Sequence, residues 1–195
     1  MIKTLTIPLV LALALLAGCG SQAKQQPAER IVETQDTATG IFTLRELHVA
    51  DSIMLADKTY KYQFDFTPCD SLRPVRNQQG DDYYDNMVTL KVTQDGRTVT
   101  ERTFTKQSFS ELVPHDFMQY SALVGFTYNY TKMDASDALY FIATVGDPDE
   151  TADMAFPIEL RITPSGSLTL QKAVDLDTEP ISPNLNIDPS TDSDI

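Results

Sequence analysis

The chain has 195 residues, with 15 Lys and Arg against 28 Asp and Glu, a formal charge of −13 and a pI near 4.4. That balance has the wrong sign for nucleic acid, whose phosphates demand clustered Lys and Arg. Two cysteines and two histidines are too few ligands for an ordinary zinc site, and the length allows one domain with a real core.

From the N-terminus, a basic head (Lys3) leads into an apolar run over 5–16 that ends in Leu16, Ala17, Gly18 and Cys19. This is the layout of a secretory signal peptide, and the run is shorter than the roughly 20 residues a membrane span needs. Those last four residues fit a lipobox, so the first nineteen residues resemble bacterial lipoproteins. The resemblance implies cleavage before Cys19, diacylglycerol on its sulfur and acylation of its new amino group. Several acyl chains, each contributing about 0.8 kcal/mol per buried CH₂, would make the membrane anchor permanent. No aspartate follows Cys19 directly, which in lipoproteins of the Gram-negative type implies release to the outer membrane. An acidic cluster of the surface-exported kind is missing too, which favours a body facing the periplasm over one at the cell surface.

The expected organisation is a signal peptide over 1–18, a lipidated N-terminus and flexible tether over 19–38, one β-domain over 39–174 and a disordered acidic tail over 175–195. The tail follows the last basic residue, Lys172, and combines Asp175, Asp177, Glu179, Asp188, Asp192 and Asp194 with three prolines. With Cys19 lipidated, Cys69 has no thiol left to pair with, so no internal disulfide is expected. Cys69 itself reads as a small buried apolar side chain.

Within the body, residues 41–49 make a weak strand whose alternation breaks at Arg45-Glu46. Residues 58–66 set Tyr60, Tyr62, Phe64 and Phe66 at spacing two. Residues 87–93 turn Val88, Leu90 and Val92 to one side, Asp95-Gly96 signals a hairpin, and 98–105 return with Val99 and Phe104 at different parity, which predicts a bulge or a twist in that strand. A helix of a turn or two is expected within 106–113, where Ser108 and Glu111 have capping-box spacing and Pro114 sets the limit. Then Val124, Phe126, Tyr128 and Tyr130 alternate with polar or small residues. Residues 138–145 are apolar on both parities and read as a central strand covered on both faces. Residues 156–174 form a hairpin around Thr163-Pro164-Ser165-Gly166.

These elements predict a mainly β fold: about eight antiparallel strands in a meander, forming a curved sheet, a lipocalin-like barrel or a sandwich, with one short helix. The long excursion carrying the helix tips the expectation toward the barrel. Tyr60-Lys61-Tyr62, the run Tyr83-Tyr84-Asp85-Asn86 leading into Leu90, and Thr103-Phe104-Thr105-Lys106 with Phe109 also resemble a family of Bacteroidota lipoproteins defined as a domain of unknown function. The resemblance implies a mostly β outer-membrane lipoprotein and brings no activity.

The densest chemistry is the stretch Asp81, Asp82, Tyr83, Tyr84, Asp85 and Asn86, three carboxylates and an amide around two tyrosines. Adjacent tyrosines in extended chain point to opposite faces, so one joins the apolar side and the other stays near solvent. A ring beside acids and an amide is how a sugar or small-ligand site is furnished, whereas turn chemistry alone also uses Asp, Asn and Gly. Asp147, Asp149, Glu150, Thr151 and Asp153 have part of a calcium-loop spacing, but Ala152 and Ile158 stand where an EF-hand needs Gly and Glu. His48 and His115 have no Gly-x-Ser-x-Gly elbow to serve and read as structural or solvated. A hydrolase using Asp82 and Asp85 needs two carboxyls across a cleft at roughly 5 to 9.5 Å, which two acids in one short loop rarely achieve.

No enzyme, cofactor or metal is therefore expected. The sequence points to a non-catalytic β-domain anchored in the outer membrane through Cys19, binding an envelope protein partner or supporting an assembly. The alternative is a small-ligand or glycan-binding module that uses residues 81–86.

Overall fold

The computed structural model describes residues 34–44, 46–149 and 151–173. The expected signal peptide, Cys19, most of the expected tether and the expected acidic tail lie outside the described residues. The end of the segment read as tether is structured, since strand β1 (Thr34–Gln35) pairs with β2 (Phe42–Thr43).

Two four-stranded antiparallel sheets form the body. In the first, β3 (Leu47–Leu55), β4 (Lys58–Pro68), β7 (Asn86–Gln94) and β8 (Arg97–Phe104) lie side by side in that order. In the second the order is β12 (Leu168–Lys172), β11 (Ala155–Ile162), β10 (Leu139–Gly146) and β9 (Ala122–Tyr128). Both follow from alternation. Tyr60, Tyr62, Phe64 and Phe66 on β4 and Val88, Leu90 and Val92 on β7 all point into the core, while their neighbours stay wet. The facing sheet contributes Leu139, Phe141, Ala143 and Val145 from β10 and Ile158, Leu160 and Ile162 from β11. Aromatic pairs join the layers: Phe126 meets Phe64 edge-on at 5.0 Å, and Tyr62 stacks on Tyr128 at 5.4 Å.

The fold is thus mainly β and sandwich-like, and the leaning toward a lipocalin-like barrel is corrected. Among the described residues no strand pairing closes a barrel. Closure would need β8 to pair with β9, but the long excursion between them carries the chain from one sheet to the other. The meander is real within each layer and broken between them.

Several local expectations resolve in the same terms. Val99 is the extra residue in β8, where the register steps from Val92↔Thr100 to Thr93↔Thr98. A second irregularity in β9 puts Leu123 inward in place of Val124, and Tyr130 falls beyond the strand at 56% exposure. The weak strand over 41–49 is two strands in two sheets, β2 and β3, divided where its alternation failed. Strand β10 lies inside its sheet as expected, and its outward Tyr140 is also buried, covered by Lys132 with Nζ 4.5 Å from the ring centre. The helix shrinks to a 3-10 turn, Lys106–Phe109. Its cap is Thr105, whose N–H donates to Ser108 Oγ at 3.1 Å, so Glu111 takes no part in the expected capping box. A further 3-10 turn, Tyr130–Lys132, is capped by Asn129, whose Oδ1 accepts from the N–H and hydroxyl of Thr131.

A small third sheet matters most for the site. Strands β5 (Val75–Arg76) and β6 (Asp82–Tyr83) fall between β4 and β7 in the chain but outside their sheet, and β6 runs parallel to β2 with Phe42 opposite Tyr83. Two-residue strands have no periodicity to read, so the sequence showed this region only as a polar loop.

Candidate functional site

The stretch 81–86 is where the small sheet feeds into β7. It starts from a tight turn in which Asn77 Oδ1 accepts the N–H groups of Gly80 and Asp81, at 2.9 and 2.8 Å. Extended backbone then alternates its side chains. Tyr83 is 2% exposed and stacks on Phe42 at 5.1 Å, whereas Tyr84 turns to the opposite side. There it lines a shallow concavity of about 850 Å³ with Leu44, Glu46, Pro68 and Asp70.

The acids separate as well. Asp81 is exposed on the turn. Asp82 takes a two-pronged hydrogen bond from Arg76 (Nε to Oδ1 2.9 Å, Nη2 to Oδ2 2.7 Å), which holds its carboxyl below the usual carboxylate range. Asp85 is 3% exposed, and its Oδ1 accepts the backbone N–H groups of Asn86 (2.9 Å) and Leu123 (3.0 Å). Its Oδ2 lies 3.4 Å from Lys106 Nζ, which also donates to the carbonyl of Ser121 at 2.6 Å. Asn86, fully buried, donates through Nδ2 to the carbonyl of Leu123 at 2.8 Å. Asp85 and Asn86 therefore tie the start of β7 to the start of β9 in the other layer. Asn86 Oδ1 and Ser121 Oγ, beside this network, have no hydrogen-bond partner among the described residues.

The six sequence-predicted residues thus do not converge on one point. Asp82 and Asp85 do share a cleft of about 890 Å³, walled by residues 72–76 on one side and by Thr105, Gln107, Met118 and Gln119 on the other, with Lys106 alongside Asp85. Sequence reasoning missed Lys106, Arg73 and Arg76. One signal was available: Lys106 follows the inward Phe104 at spacing two, and a charge at an inward position calls for a buried partner. The two arginines carried no comparable signal, because nothing local shows which way a loop residue faces.

Elsewhere the chemistry is locally satisfied. Asp147 Oδ1 accepts the N–H of Asp149 at 3.0 Å, and Asp149 Oδ1 accepts from the N–H and hydroxyl of Thr151, both at 2.7 Å. The backbone bond from Thr151 comes first among the causes that lower the Asp149 carboxyl below its ordinary value. Among the described residues no three His, Cys, Asp or Glu side chains are grouped to hold a metal. His48 is exposed, with Nδ1 2.7 Å from Asp65 Oδ1, a hydrogen bond that raises its pKa above the ordinary imidazole value. His115 is exposed beside Asp116. Cys69 is half-buried, not the fully buried apolar side chain expected, and its sulfur lies 3.1 Å from Ser71 Oγ.

No curated protein matches the chain. A family model described as a domain of unknown function, DUF4738, matches residues 26–170, which takes in every strand of both large sheets except the end of β12. The chain belongs to the DUF4738 family.

Proposed function

We propose that this protein is a non-catalytic binding or structural β-domain of the bacterial envelope, held at the outer membrane by lipid on Cys19 and facing the periplasm. One observation carries the non-catalytic part: both acids in the cleft are already committed. A carboxylate whose charged form is held by cationic and backbone donors is a weaker and less mobile base. Asp82 spends both oxygens on Arg76, and Asp85 spends its own on two backbone N–H groups and Lys106. Groups fixed this way hold structure, and the cleft they line is suited to holding a partner or ligand.

The anchor rests on Leu16, Ala17, Gly18 and Cys19. Cells expressing Cys19→Ala, fed a tagged fatty acid and fractionated, are expected to show no label on the chain and loss of the processed, membrane-bound form. Processed, membrane-bound Cys19→Ala protein would refute the anchor. Protease treatment of intact cells tests the orientation, since a periplasm-facing body stays protected. Crosslinking in whole cells tests for an envelope protein partner.

A second reading, a small-ligand module, is favoured by the cleft itself, whose volume lies within the roughly 300–1,000 Å³ typical of ligand sites. Its glycan form is the weaker one here, because among the described residues no aromatic ring lines this cleft. Native mass spectrometry of the protein purified from its own cells would reveal a retained small molecule.

A further inference from the structure

The cleft beside residues 81–86 has a local charge opposite in sign to that of the chain. The whole protein carries −13, yet Arg73, Arg76 and Lys106 line this cleft against Asp82 and Asp85. Two of the three cations are neutralised in place: Arg76 by the two-pronged bond to Asp82, Lys106 by Asp85 and the Ser121 carbonyl. Arg73 is exposed and has neither an ion-pair nor a hydrogen-bond partner among the described residues. Arg73 therefore lines the cleft with a planar fork of donors that no described residue engages.

The rest of the lining is mixed: Ile41, Leu72, Pro74, Val75 and Met118 supply an apolar part, and Thr105, Gln107 and Gln119 a polar one. A complementary ligand carries one planar anion for the fork and an apolar body for the apolar part. A dianion such as phosphate would keep one charge unmatched, because among the described residues Arg73 is the one cation of the cleft not already paired with Asp82 or Asp85. A carboxylate matches the guanidinium fork in geometry and in charge.

We propose that the cleft binds a small organic monocarboxylate, its carboxylate paired with Arg73 and its apolar body lying against Leu72, Val75 and Met118. This rests on the reading of the cleft as a ligand site. The test is isothermal titration of the full chain in lipid nanodiscs, referenced to empty nanodiscs, with 3-phenylpropanoate and with its neutral amide, 3-phenylpropanamide. The carboxylate is expected to bind one to one and at least tenfold more tightly than the amide. Arg73→Gln, an exposed replacement whose unchanged urea midpoint verifies folding, is expected to lower the carboxylate to the level of the amide. Met118→Glu is expected to weaken both probes. Equal binding of acid and amide, or a carboxylate affinity untouched by Arg73→Gln, would overturn the monocarboxylate while leaving the cleft a ligand site. If neither probe binds the intact chain, both fall, and the anchor is judged separately by labelling of Cys19.

Discussion

Lys106 and Asp85 face each other with only 11% and 4% of their side chains exposed, a setting in which losing one partner costs more than the pair contributes. Asp85→Ala strands the ammonium and frees the N–H groups of Asn86 and Leu123, so a loss of about 3–5 kcal/mol is expected in urea unfolding. Lys106→Met leaves the carboxylate with both backbone donors and should cost less, about 1–3 kcal/mol. Equal losses would mean that the ion pair, not the backbone bonds, secures this junction. His48 offers a pH test. Its folded pKa is raised by Asp65, so its contribution to stability is fully present below the unfolded value, about 6.5, and fades as pH rises through the folded one. Asp65→Asn should lower the His48 midpoint followed by NMR and flatten stability across that window. Of these residues the sequence disclosed the opposed facing of Tyr83 and Tyr84, because alternation is local. It did not disclose Lys106 under Asp85, because twenty residues and two strands separate them.

The strands were legible where they were long. The alternation of β4 and β7 survives unchanged, since burying one face of a sheet imposes a period of two on whatever sequence occupies it, and on β11 it is blurred where Glu159 is buried as well. Turns were legible only where the residue announced the backbone. Asp95-Gly96, with φ of 49° and 76°, is a type I′ hairpin turn. The β3–β4 turn has the same shape at Ala56 and Asp57, φ 48° and 60°, and alanine gives no warning of it. Ala56→Asn, which suits this conformation better, is expected to stabilise the fold by about 0.5–1 kcal/mol, read as a higher urea midpoint. Destabilisation would show that the methyl group of Ala56 matters more than its backbone strain. Gly166 is fixed by φ +83° and by the Val99 carbonyl oxygen, which a Cβ would meet at 2.4 Å. The bulge in β8 and the turn after β11 are thereby fitted to each other.

The two layers are joined through aromatic side chains. Phe126 touches Phe64 and Phe104 across the interface and Phe141 in its own sheet. Phe126→Ala is expected to cost about 3–5 kcal/mol and to lower the stability of both sheets in one transition. Separate transitions for the two layers would mean that they fold independently. Closure is a property of the whole chain that alternation cannot report, because inward residues look the same in a barrel and in a sandwich. The excursion over 105–121 that suggested a barrel is the segment that changes sheet, and in doing so it supplies a wall of the cleft.

By itself the sequence determined the mainly β composition, the inward faces of the long strands, the Asp95-Gly96 hairpin and an irregularity in the strand that follows it, all of which follow from spacing within a few residues. Only the tertiary structure decided that the strands form two layers, and that Asp82 and Asp85 are bound by Arg76 and Lys106. It also decided that Arg73 lines their cleft without a partner among the described residues. Pairings of that kind depend on which distant segments are folded against each other, and 81–86, read alone as six polar and aromatic residues, does not name its neighbours.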